Sequence, residues 1–63
     1  MTKASDYVRE QVEACRSGVA NHVDLARRCL DIGDLDQAFS LLDLARRMKS
    51  VGEILETIVE GLR

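Results

Sequence analysis

The sequence predicts an all-α fold, an antiparallel helical hairpin whose second arm is kinked or broken near residues 49–53, so that two long helices or three assemble into a helical bundle. Three observations lead there. The chain has no proline, one Phe, one Tyr and no Trp, with 46% hydrophobic and 32% charged residues, a composition that suits helices and offers little to a β-sheet. Apolar residues recur every three or four positions over most of its length. A Gly-Asp pair interrupts that pattern near the midpoint.

The first arm carries Val8, Val12, Cys15, Val19, Val23, Ala26 and Leu30 on one side of a helix expected over about residues 4–32. Gly18 lies inside it at a cost of about 1 kcal/mol relative to Ala, but the stripe keeps its phase across the glycine, which argues against a turn there. At Ile32-Gly33-Asp34-Leu35-Asp36-Gln37, Gly33 can supply the left-handed residue that closes one helix. Asp34 can then cap the next, with Gln37 completing a capping box. Arms of similar length on either side of residues 33–34 favour an antiparallel pair.

In the second arm Leu35, Ala38, Phe39, Leu42 and Ala45 share one face. Met48, Val51, Leu55, Ile58 and Leu62 are rotated by roughly a third of a turn from it at 100° per residue. Ser50 followed by Glu53 forms a second capping pattern and Gly52 can end a helix, so a break is expected between Lys49 and Glu53, with helices over about 35–49 and 53–62. If the helix instead runs straight, the rotated stripe becomes an interface. A repeat at a register of 19 residues supports the break: Val23-Asp24-Leu25-Ala26-Arg27-Arg28 through Ile32-Gly33-Asp34 returns as Leu42-Asp43-Leu44-Ala45-Arg46-Arg47 through Val51-Gly52-Glu53.

At 63 residues the chain is a single domain, residues 1–63, with a marginal core of its own, so association is the first expectation. A formal net charge of −2 gives no overall pull toward nucleic acid or an anionic membrane. The polar N-terminus has no signal-peptide core and no apolar run approaches the roughly 20 residues that span a bilayer, so a cytoplasmic protein is expected. Two cysteines fit a reducing compartment.

No nucleophile with a base, no nucleophile elbow and no phosphate-binding glycine loop can be assembled, and an enzyme, a cofactor or a small-molecule substrate is not expected. Cys15, His22 and Cys29 recur at seven residues, too far apart along one helix to chelate one metal. An antiparallel homodimer centred on His22 would bring each Cys15 near the partner copy's Cys29, making these three the candidates for a metal or thiol-linked oligomer switch. The plainer reading makes them core or boundary residues. Arg27, Arg28, Arg46 and Arg47 are candidates for an RNA-binding helical-hairpin dimer. Asp24 and Asp43 precede Arg28 and Arg47 by four residues, however, the favourable order for exposed helix ion pairs, and no aromatic side chain stands beside the arginines to stack on bases.

Residues 19–52 resemble a single tetratricopeptide repeat, through Leu25 and Ala26 in the first helix, Gly33-Asp34-Leu35-Asp36 at the turn, and Ala38, Leu42 and Ala45 in the second helix. The resemblance implies a tight helix pair and partner binding on a helical surface. By architecture alone the equal-armed hairpin is also similar to small plasmid-encoded RNA-binding dimers and to the hairpin co-chaperones of type III secretion. The expected function is a small non-enzymatic interaction module, an adaptor, regulator or co-chaperone-like subunit, acting as a homodimer or with a helical partner protein. Leu41, Leu44, Met48, Val51, Leu55, Ile58 and Leu62 form the expected partner-binding seam.

Overall fold

The computed structural model describes residues 3–61, and they form two helices packed side by side. Helix α1 runs Lys3–Asp31 and helix α2 runs Leu35–Gly61. The Cα trace is a rod of 47 × 13 × 10 Å.

The turn is built from backbone hydrogen bonds. Gly33, at φ 80°, donates its N–H to the Leu30 carbonyl at 3.1 Å, and Asp34 donates to the Cys29 carbonyl at 2.9 Å. These are the two bonds of a Schellman closure, which satisfies carbonyls that the helix end leaves open. Asp34 then starts α2: its Oδ1 accepts the Gln37 N–H at 3.2 Å, and its carbonyl accepts the Ala38 N–H at 3.1 Å. Because the Asp34 N–H is already committed to Cys29, closure of α1 and capping of α2 share one residue, and the chain reverses in the fewest residues.

Helix α2 is continuous through residues 49–53, so the expected break is absent and the fold has two long helices, not three. The packing gives the reason. Along α2, Ala38, Leu41, Ala45, Gly52 and Val59 are buried and Met48 and Leu55 half-buried, alternating at three and four, with Leu42, Asp43 and Glu56 half-buried beside them. This is the a and d pattern of a heptad, in which slight supercoiling keeps a 3.5-residue repeat on one seam over many turns. On a straight helix of 3.6 residues per turn the same seam looks like two stripes out of phase, which is what suggested a break. In α1 the matching seam is Ser5, Val8, Val12, Cys15, Val19, His22, Ala26 and Cys29. It therefore leaves the expected Val23 and Leu30 exposed and takes His22 and Cys29 in their place.

Gly52 is a packing residue, not a helix breaker. It is buried, and a Cβ placed on it would stand 3.3 Å from the Cβ of Cys15 across the seam. The register this approach fixes sets Ala45 level with His22 and Ala38 level with Cys29. Leu41, Met48 and Leu55 then lie level with Ala26, Val19 and Val12. Small side chains at the a positions of α2 thus face the d positions of α1, while the large ones at d fill the space over the a positions. Gly18 leaves room for the end of the Met48 side chain, since a Cβ there would meet Met48 Cε at 2.5 Å. Neither glycine interrupts its helix.

The resulting core is thin. Among the described residues its buried apolar members are Val12, Ala26, Ala38, Leu41, Ala45 and Val59, half of them alanine, and no large side chain is fully buried.

Two substitutions test this construction. Gly33→Ala forces a β-carbon into a left-handed conformation and should lower stability by about 1 kcal/mol in denaturant melts, with no loss of helix content in water. Gly52→Val places a branched side chain against Cys15 and should cost roughly 1–3 kcal/mol through overpacking, despite valine's better helix propensity. Gly61→Ala, where nothing lies within 4 Å, should not destabilise.

Candidate interaction face

Seven residues of the second arm were expected to form one binding seam, and the structure divides the six it describes. Leu41 is buried and Met48 and Leu55 are partly buried, all at d positions facing α1, while Leu44, Val51 and Ile58 are exposed at the g positions beside them. Leu62 lies outside the described residues. The first group holds the hairpin together, and only the second is free to meet anything else.

Two helices running antiparallel place their g positions on one flank and their e positions on the other. The ion pair of Arg16 with Glu56, both at e, crosses between the helices and identifies the e flank; Arg16 also bonds Glu13 at 2.9 Å. Around it lies a cleft of about 330 Å³ lined by Arg16, Val19, Lys49, Gly52, Glu53 and Glu56 among others. Next to it Arg9, Glu13, Arg16, Glu53, Glu56 and Glu60 line a second, more polar recess. This flank is solvated and charged over the half of the rod away from the turn.

The opposite flank has no such character. Leu25 and Ile32 of α1 and Leu44, Val51 and Ile58 of α2 occupy g positions, with Ile54 at c beside them, and their exposures range from 44% to 80%. Large apolar side chains exposed to that extent are ordinary singly, but here they adjoin one another along both helices. The eleven Asp and Glu residues all fall at b, e and f positions, except Asp34 in the turn. The c and g positions therefore hold no carboxylate, and their charged members are Arg28 and Arg47.

Those arginines are turned away. Arg28 pairs with Asp24 at 3.1 Å and Arg47 with Asp43 at 3.0 Å, the i,i+4 geometry expected from the sequence, and Arg46 also reaches Asp43 at 3.1 Å. All five of these groups are exposed or half-exposed, so the pairs contribute at most a few tenths of a kcal/mol each. The 19-residue repeat gains a structural meaning here: it puts the same Asp, Ala, Arg, Arg pattern at equivalent seam positions of the two helices, with Ala26 and Ala45 both buried. Its final members differ, since Gly33 turns at positive φ while Gly52 stays helical.

Cys15, His22 and Cys29 all occupy d positions of α1 and face α2, so the stripe that a homodimer centred on His22 would need is already covered within the hairpin. His22 Nδ1 donates to the Gly18 carbonyl at 2.7 Å, which satisfies one ring nitrogen locally in a half-buried position. Both cysteines are free thiols, and no group of three metal-ligating side chains comes together among the described residues. No helix among the described residues is long and apolar enough to cross a membrane.

Comparison with family models, curated proteins and solved structures finds no match to this chain. Sequence reasoning found three members of the outer face, Leu44, Val51 and Ile58, and missed Leu25, Ile32 and Ile54. The signal that finds them is the absence of acids at c and g, which becomes visible only once the heptad frame is assigned.

Proposed function

We propose that the chain is a non-enzymatic protein-interaction module that docks a second helical layer, its own or a partner protein's, on the face formed by Leu25, Ile32, Leu44, Val51, Ile54 and Ile58. One observation carries this reading: the acids are excluded from the c and g positions of both helices while large apolar side chains stand exposed there. A merely solvated helix surface would mix charges into these positions. The thin core points the same way, because covering this face supplies the apolar burial that the hairpin's own seam lacks.

Adaptor, regulator and co-chaperone-like roles all use such a face, and the tetratricopeptide-like placement of Ala26, Ala38 and Ala45 fits the close helix pair that would present it. A free-thiol module of this kind suits the reducing cytoplasm. The arginines at 27, 28, 46 and 47 support binding of phosphate less well, since Arg28, Arg46 and Arg47 are engaged with Asp24 and Asp43.

A photo-crosslinking amino acid placed at Val51, compared with one at Ser50 on the solvated back of the same helix, tests the reading in cells that express the chain. The position-51 probe should form a discrete covalent adduct with protein, and the position-50 probe should not. Equal or absent adducts at both positions would show that this face meets no partner.

A further inference from the structure

We infer that the layer covering the c and g face is a second copy of this chain, joined through a two-fold axis to make a four-helix bundle. This rests on the reading above and specifies the partner. Three features of the face fit a copy of itself.

The first is size. A face 47 Å long and two helices wide offers on the order of 800–900 Å² per chain, which is what one partner contributes to a stable protein interface of ordinary size. A single docked helix would cover only the groove between α1 and α2 and would leave part of the apolar surface in water.

The second is charge. Because the face lacks carboxylates and its two arginines are neutralised by Asp24 and Asp43, two copies meet without repulsion. It offers no net charge to select a partner of the opposite sign. An isologous contact requires a self-complementary patch, and this one is uncharged along its centre.

The third is relief. The large side chains at Leu44, Val51, Ile54 and Ile58 lie on α2, whereas the c and g positions of α1 away from the turn hold the small or slender Ala14 and Asn21, with Gly18 covered by Met48 and with Gln11 and the exposed Tyr7 toward the far end. A two-fold copy that sets α2 of one chain beside α1 of the other places α2 bulk over Ala14 and Asn21 in both halves at once, an alternation of large and small like that of the intramolecular seam.

Light scattering of the purified full chain in reductant, over a wide concentration range, measures the assembly directly. The expected result is a molar mass twice that of the 7.0 kDa chain. Val51→Lys should return it to a monomer, and Ser50→Lys should leave the doubled mass unchanged. Since Val51→Lys can also weaken folding, the unsubstituted protein supplies an independent readout. In a mixture of isotopically labelled and unlabelled chains, intermolecular contacts should connect the methyl groups of Leu25, Leu44, Val51, Ile54 and Ile58. A helical monomer throughout the concentration range overturns the inference, as does a dimer whose contacts map to Val23, Leu30, Leu35 and Phe39 on the other flank. A monomer that nevertheless gives an adduct with a different protein through position 51 overturns the self-assembly alone and leaves the interaction reading standing.

Discussion

The approach of α2 to α1 at Gly52 and Cys15 sets the geometry on which the rest of the hairpin depends. With no side chain at 52 and alanine at 38 and 45, the two backbones come close enough for the heptad seam to stay engaged from the turn to the far end. Close approach has a consequence for the core. Small residues bring helices together but bury little apolar area, and the side chains that fill the gaps, Leu41, Met48 and Leu55, are too few to make a deep interior. The seam specifies how the helices pair better than it stabilises them.

That division explains where the larger apolar residues went. Leu25, Leu44, Val51, Ile54 and Ile58 fall at g and c positions outside the seam, so they stand on the flank beside it, while the acids lie elsewhere, with Val23, Leu30, Leu35 and Phe39 exposed on the other flank near the turn. Each helix thus has one edge committed to its neighbour and another that stands apolar and exposed. A helix in a four-helix bundle needs both, whereas an isolated hairpin needs only the first. The Schellman closure at Gly33 and the cap at Asp34 reverse the chain, and the antiparallel pairing that follows puts both exposed apolar edges on the same side.

Much of this was readable in the residues. The helical class, the turn at 33–34 with its glycine and aspartate, and the ion pairs of Asp24 with Arg28 and Asp43 with Arg47 all follow from local chemistry, where a residue's neighbours in sequence are also its partners. The seam was harder. Assigning the stripes at 3.6 residues per turn made Met48, Val51 and Leu55 look like a new face and Gly52 like an interruption. A glycine opposite Cys15 looks the same in sequence as a glycine ending a helix, and only the partner helix distinguishes them. The same frame error selected Val23 and Leu30 over His22 and Cys29 in α1, and merged Leu41 with Leu44 into one binding surface when one is inside and the other outside. Ile54 stands three residues after Val51 and four before Ile58, but a seam drawn through Leu55 passes it by.

The hairpin is held by a narrow seam, and the second layer proposed for it would make its stability a property of the assembly. Thermal unfolding followed by circular dichroism, repeated at increasing concentrations of the purified chain, tests that claim most directly. If the layers fold together, the midpoint rises with protein concentration, because dissociation accompanies unfolding. A cooperative transition whose midpoint does not move with concentration would show that the seam of Ala38, Ala45 and Gly52 suffices alone, and would contradict the account.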